Sequence, residues 1–133
     1  MRHYNVVAAV VVLGGKYLCM QRCRSRYEYT SEKWEFPGGK IEPGETAPEA
    51  LKREMREEMR YDINPIRSIA KVDYEYPDFS ITLDAWLCTA ETTDFIMLEH
   101  LDYKWLYLHQ LDTLDWTAAD RIIVEMMMKH QPA

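Results

Sequence analysis

Residues 39–61 read GKIEPGETAPEALKREMREEMRY, and the fold is decided there. Thr46 can cap a helix, with Glu49 three residues on as its capping-box partner and Pro48 in the first turn. A helix is therefore expected over about Ala47 to Met59. On it Glu54, Glu57 and Glu58 fall at i, i+3 and i+4 and share one face. Leu51, Met55 and Met59 form a separate apolar stripe that can face a core. Like charges at this spacing cost a few tenths of a kcal/mol per pair, ~0.2–0.5. A hard divalent cation reverses the sign, because magnesium takes oxygen ligands and bridges carboxylates to phosphates. Arg53 precedes Glu54 and carries a planar fork able to orient a carboxylate or phosphate. The plain alternative is a solvated helix face, with Lys52, Arg53 and Arg56 as salt-bridge partners.

The flanking residues decide between the two. The stretch resembles the Nudix box, which reads glycine, five residues, glutamate, seven residues, Arg-Glu, an apolar residue, any residue, Glu-Glu, any residue, glycine and an aliphatic residue. Gly39, Glu45, Arg53, Glu54, Met55, Glu57 and Glu58 fall on that pattern in register. The departure lies at its end, where Arg60 replaces the glycine and Tyr61 the aliphatic residue. The family's glycine suits a helix end in the left-handed conformation. Arginine there costs about 1 kcal/mol. The expectation is a stability penalty with the chemistry intact, and a bent or extended last turn is what Arg60 puts in question.

The resemblance implies an α/β fold, a Nudix-type α/β/α sandwich with a mixed sheet between helices. It implies that the carbonyl of Gly39 and the carboxylates of Glu54, Glu57 and Glu58 hold Mg2+, with Mn2+ as the alternative. Glu99 precedes Trp105 by the family's spacing and would approach the metal or the attacking water. Either Glu54 or Glu99 would help activate that water. Glu57 and Arg53 belong to the same catalytic group, and Glu45 anchors the loop. A metal-bound water loses its proton more easily, which is what attack on a polyanion needs. In this family water attacks the β-phosphorus of a triphosphate and releases pyrophosphate. The sequence leaves attack at the α-phosphorus equally open.

Outward from the box, Trp34 to Glu45 (WEFPGGKIEPGE) and Asp73 to Leu87 resemble the MutT branch, which sanitises nucleotide pools. The tail from Trp116 to Met128 also resembles the branch acting on pyrimidine nucleoside triphosphates. For the nucleotide, Asp120 stands where the family places a residue that hydrogen-bonds the base, and position in the sequence adds Arg24 of the basic loop (phosphate or base edge), Phe36 (stacking), Lys40 (phosphate) and Asp78 at the hairpin turn (base) as candidates. Each has a plain counterpart: a core aromatic for Phe36, a solvated lysine for Lys40, a good turn former for Asp78. For Asp120 it is a capping box with Thr117.

The remaining pattern suits one domain over residues 1–133. Val6 to Leu13 is a continuous β-branched run, Gly14-Gly15 a turn, and Lys16 to Gln21 a second strand. Arg22 to Lys33 reads as a basic loop. Trp34 to Gly39 reads as a short strand broken by a Pro-Gly turn. Val72 to Tyr76 and Ser80 to Cys88 alternate as strands about Pro77-Asp78, and Tyr103 to Leu108 is a further strand. Glu91 to Glu99 carries no clear pattern. Thr117 to Lys129 is a terminal helix with Ala118, Ile122, Ile123, Met126 and Met127 on its inner face.

The formal net charge is −6, which disfavours a broad nucleic-acid surface. Cys19, Cys23 and Cys88 do not form an even disulfide framework and are expected as reduced thiols. Val6 to Leu13 is too short to span a bilayer. The expected protein is cytoplasmic, a monomer or homodimer with no membrane or nucleic-acid partner. It would cut a nucleoside triphosphate, 8-oxo-dGTP or a cytidine-type nucleotide, into a monophosphate and pyrophosphate. The alternatives are a nucleotide-sensing module without turnover and a hydrolase of nucleotide sugars or dinucleotide polyphosphates.

Overall fold

The computed structural model describes residues 1–132. Seven strands, β1 (Arg2–Leu13), β2 (Lys16–Arg22), β3 (Trp34–Glu35), β4 (Gly38–Lys40), β5 (Asn64–Glu75), β6 (Phe79–Thr89) and β7 (His100–Tyr107), form a mixed sheet. Helix α1 (Ala47–Met59) follows β4, and α2 (Ala118–Lys129) closes the chain after a short 3-10 helix at Leu108–Thr113.

Strand β1 organises the sheet because it is shared along its length. It runs parallel to β6 from Arg2↔Phe79 to Val11↔Cys88. On its other side the first half pairs with β4 (Val6↔Lys40, Val7↔Gly39, Ala8↔Gly38) and the far end with β2 (Val12↔Tyr17). Between those partners the sheet splits, and β2, β3 and β7 diverge as a second wing. The split makes room for a cavity.

The two faces follow from period-2 alternation. Val7, Ala9 and Val11 pack with Leu18, Met20, Leu51, Met55 and Met59 under α1. Ala8 and Val10 pack with Val72, Leu83, Ala85, Ile123 and Met127 under α2. Burying each large side chain contributes about 1.5–3 kcal/mol, and Leu51, Met55 and Met59 are fully buried. That stripe holds α1 down and turns its acidic face outward along β4.

The box helix has its expected bounds and its capping box: Glu49 N donates to the Thr46 hydroxyl oxygen, and Thr46 N to the Glu49 carboxylate. It does not run on past Met59. Arg60 takes the left-handed conformation itself, φ 51° and ψ 38°, where the family's glycine belongs. Several strands extend beyond their expected ends. β1 begins at Arg2 and β5 at Asn64, β2 takes in Arg22, and β7 starts at His100. The added segment at the start of β1 is polar, and that at the start of β5 mixes Ile66, Ile69 and Ala70 with polar residues; both are mostly exposed and show no clean alternation. Two register shifts in β5, at Pro65/Arg67 and Ser68/Ala70, further break its alternation.

No helix among the described residues is long and apolar enough to cross a membrane. Cys19 and Cys88 are buried and Cys23 exposed, all three free thiols.

Candidate active site

The site begins at Gly39. In β4 its neighbour across the ladder is Val7, which places it on the α1 side. A Cβ at this position would lie 2.4 Å from the Glu54 carboxylate. No side chain fits there, so the glycine lets a helix carboxylate reach the strand backbone.

Arg53 ties the acidic face together. Its Nε and Nη2 donate to the two Glu45 oxygens at 2.7 and 2.9 Å, a bidentate pair. Nη1 donates to Glu54 at 2.9 Å and to Glu57 at 3.2 Å, and Nη2 also donates to the Lys40 carbonyl at 3.0 Å. One guanidinium thus fixes the loop, the strand and two helix carboxylates. The bond from Arg53, helped by the Glu42 backbone N–H, holds Glu45 down at about 2. Arg53 itself is pushed further above its ordinary range, mainly by Glu45.

The three expected metal carboxylates are not equivalent. The Glu54 side chain is only 15% exposed, whereas that of Glu57 is 61% exposed and turned to Arg53. Glu58 faces the cavity with Gly38 and Gly39. Burial, together with the charges of Glu54, Glu35 and Glu99, pushes Glu58 up to about 9. No three acidic, histidine or cysteine side chains already surround a common point among the described residues. Even so, the donor set is all oxygen, and crowded carboxylates make the site short of positive charge. Both properties fit a hard divalent cation.

The cavity has a volume of about 730 Å3 and opens in the split between the wings. At one end Asp120 is buried at the start of α2. Its Oδ2 accepts from Phe36 N at 2.9 Å and its Oδ1 from the Thr117 hydroxyl at 2.7 Å. The expected capping box with Thr117 is absent, since Thr117 donates to the carboxylate instead of capping the helix. Burial, and next the charge of Glu35, push Asp120 up to about 7. Phe36 is almost fully buried, its ring 4.7 Å from that of Trp116. It also borders the cavity, so packing in the core does not withdraw it from the cavity wall.

Lys40 borders the same cavity, with its Nζ 4.2 Å from the centre of the Tyr4 ring. Asp78 lies at the rim, where it accepts from the Tyr29 hydroxyl at 2.7 Å. Arg24 is exposed and does not line the cavity, whereas Arg22 and Arg26 do. Glu99 is also exposed and outside the lining, but close enough to act on Glu58. Its segment is anchored by Leu98 N to the Glu58 carbonyl (3.2 Å) and Ile96 N to that of Met59 (2.9 Å).

Sequence reasoning missed a buried cluster behind the cavity. Glu35 accepts from Arg22 Nη1 at 2.9 Å and from His100 Nε2 at 3.1 Å. Burial opposes its charge, but His100 and Arg22 outweigh that and hold it below the ordinary carboxylate range. A bulge brings the trio together: Gln21 pairs with Asp102 and Arg22 with His100, so Leu101 is skipped and left exposed. The available signal was an acid flanked by Trp34 and Phe36 in a strand.

An acidic helix closing on a strand glycine, beside a cavity in a split mixed sheet, defines an α/β protein with clustered carboxylates at the mouth of a polar cavity. The NUDIX domain model matches residues 2–126, and the chain belongs to the Nudix hydrolase family, in its MutT-like branch. It is 32% identical over 106 residues to the "8-oxo-dGTP diphosphatase" of Escherichia coli (strain K12), covering 80% of this chain and 82% of that one. The same organism's "CTP pyrophosphohydrolase" is 37% identical over 86 residues, 65% and 62% of the two chains. Among solved structures, the E. coli ORF135 protein superposes with a TM-score of 0.80 at 30% identity, covering 100% of this chain and 96% of that one.

Proposed function

We propose that this enzyme hydrolyses a nucleoside triphosphate to the monophosphate and pyrophosphate, with Mg2+ and with Mn2+ as the alternative. The observation that carries this is one cavity whose wall brings Glu58 and Gly39 of the box together with Asp120 and Phe36. The Gly39 carbonyl, Glu54, Glu57, Glu58 and Glu99 would hold the metal. Once bound, the metal would screen phosphate charge and make a water acidic enough to attack.

The chain's own groups do the rest. Arg53 orients Glu54 and Glu57 through its two Nη1 bonds. A carboxylate, Glu54 or Glu99, accepts the proton of the attacking water. For attack at the β-phosphorus, the new bond joins water oxygen to that phosphorus. The bond to the α–β bridging oxygen breaks, and its electron pair leaves with the monophosphate. Lys40 meets a phosphate, and Phe36 and Asp78 border the nucleoside.

Asp120 would read the base. Its ionised form accepts from an exocyclic amine, and its neutral form donates to a carbonyl. A carboxyl titrating near 7 serves both. That supports cytidine-type triphosphates and 8-oxo-dGTP as substrates, the classes named for the two relatives. We place this activity in the cytoplasm, in a single unit over residues 1–133 acting as monomer or homodimer.

The test is pyrophosphate release across a panel of nucleoside triphosphates with Mg2+, run beside Glu57→Gln. Turnover of one class, lost in the variant, supports the proposal. Background rates on every triphosphate sink it, and turnover confined to nucleotide sugars reassigns the substrate.

A further inference from the structure

Glu99 is exposed, yet the chain around it is pinned to three different elements. Ile96 N and Leu98 N donate to the carbonyls of Met59 and Glu58, the last two residues of α1, at 2.9 and 3.2 Å. Carbonyls at a helix end have no partner within the helix, so these bonds fix the segment to the end of α1. The thiol of Cys23, just beyond β2, donates to the Glu99 carbonyl at 3.2 Å. His100, the first residue of β7, turns its ring to the Glu35 carboxylate of β3, 3.1 Å from Nε2.

The His100 anchor depends on an irregularity in the sheet. Cross-strand partners share a face, so Met20, Glu35 and Arg22 lie on one side of the wing and Gln21, Trp34 and Asp102 on the other. In unbroken alternation His100 would lie with Asp102. The bulge at Leu101 moves it to the side of Arg22 and Glu35. Its side chain is buried there, 4% exposed, and Glu35 is the only hydrogen-bonding partner of the ring among the described residues, since Nδ1 has none. Apolar packing adds little. Phe95 packs between Tyr61 and Tyr103, with ring centres 5.4 and 4.9 Å away, but Ile96, Met97, Leu98 and Leu101 are all exposed. With so few buried apolar contacts, the polar anchors set where residues 96–101 lie.

We infer that His100 is a positioning residue for Glu99: bound to Glu35, it fixes the start of β7 and holds the Glu99 carboxylate beside Glu58. This role rests on the place in the metal site proposed above for Glu99. The charge of Glu99 already acts on Glu58 across the gap between β7 and α1. Glu35 also borders the cavity, so one carboxylate joins the cavity wall to the segment that carries Glu99. Outer partners of this kind keep a metal ligand in its orientation, and losing one weakens metal binding by about ten-fold or more.

The experiment measures Mn2+ affinity by electron paramagnetic resonance of the free ion, with the substrate-free protein. Wild type is compared with His100→Leu, Glu99→Gln and the double variant. Glu57→Gln, alone and with His100→Leu, is the control. His100→Leu and Glu99→Gln should each weaken Mn2+ binding by about ten-fold. Their double variant should be no more than about two-fold weaker than either one, because both withdraw the same ligand. His100→Leu with Glu57→Gln should multiply the two losses, because Glu57 is held by Arg53 and not by this segment. His100→Gln, whose amide nitrogen takes the place of Nε2, should recover most of the affinity. His100→Asn, too short to reach Glu35, should not, and it replaces His100→Leu in the cycle if that variant does not fold. Multiplying losses in the His100 and Glu99 pair, an unchanged affinity in either single variant, or a His100→Gln that behaves as His100→Leu overturns the role. A coupled pair in a protein that hydrolyses no triphosphate keeps the role and removes the hydrolase function. Turnover as proposed with multiplying losses does the reverse.

Discussion

Asp120 is a single residue whose environment makes a prediction with a definite sign. Its carboxyl is raised from 3.8 to about 7 in the folded chain. Its contribution to stability is fully present below about 4. That contribution is lost as pH rises through about 7, because the folded state must then hold a buried charge that the unfolded state holds in water. The full shift would correspond to about 4 kcal/mol at 1.36 kcal/mol per unit, and contact with the open cavity reduces it to a few. Asp120→Asn should therefore flatten the urea-unfolding stability profile between pH 4 and 8 relative to wild type. Parallel profiles in the two proteins would show that Asp120 is not the titrating group. Arg60 offers a second test at this scale. It holds φ 51° with a full side chain, so Arg60→Gly should stabilise the protein by about 1 kcal/mol in chemical denaturation. No gain would mean that the arginine side chain repays the backbone cost through its surroundings. Gly39→Ala makes the opposite kind of change, driving a methyl into the Glu54 carboxylate. Activity should fall by more than ten-fold, on the order of 1.4 kcal/mol in the barrier, while the fold survives.

At the scale of elements, α1 was legible almost to the residue, because its cap, its apolar stripe and its acidic face each follow from spacing along one segment. Met55 and Glu54 are neighbours in sequence yet face core and site, and helical period alone separates them. The strands were legible where they are buried and alternate, as in Ile81 to Leu87. They were not at polar Arg2 to Asn5, nor across the bulges of β5, where a shifted register changes which residues share a face. The Arg22–Glu35–His100 trio escaped for the same reason. Its members are distant in sequence and come together only through the β2–β7 bulge. Arg24 was favoured over Arg22 and Arg26 because composition marks a basic loop without saying which cations turn inward. Since Glu35 joins β2, β3 and β7 in one partly buried cluster, Glu35→Gln should be costly. One strong acceptor is replaced by an amide, leaving Arg22 or His100 short of a partner. With the Arg22 side chain 38% exposed and screened by solvent, a loss of about 1–2 kcal/mol is expected in urea unfolding at neutral pH. A change under about 0.5 kcal/mol would place the trio among interactions worth no more than surface pairs.

For the whole molecule, the acidic face of α1 is a source of strain that a ligand can remove. Glu54, Glu35 and Glu99 all act on Glu58, and among the described residues the salt bridges to the helix carboxylates Glu54 and Glu57 come from Arg53 alone. A divalent cation that binds the folded site but not the unfolded chain must stabilise the fold by mass action, about 2.7 kcal/mol at a hundred times its Kd. For a chain of this length that corresponds to a rise of roughly 10 °C in Tm. Thermal unfolding in EDTA, and then across a Mg2+ titration, reads this without any substrate. Glu58→Gln should raise the Tm in EDTA, because it removes a carboxyl that burial and its acidic neighbours force toward the neutral form on folding, and should shrink the Mg2+ response, because it removes a ligand. The two effects have opposite signs in one variant, which a merely disruptive substitution cannot reproduce. A wild-type Tm that is the same in EDTA and in saturating Mg2+ would show that these carboxylates hold no metal in the free enzyme.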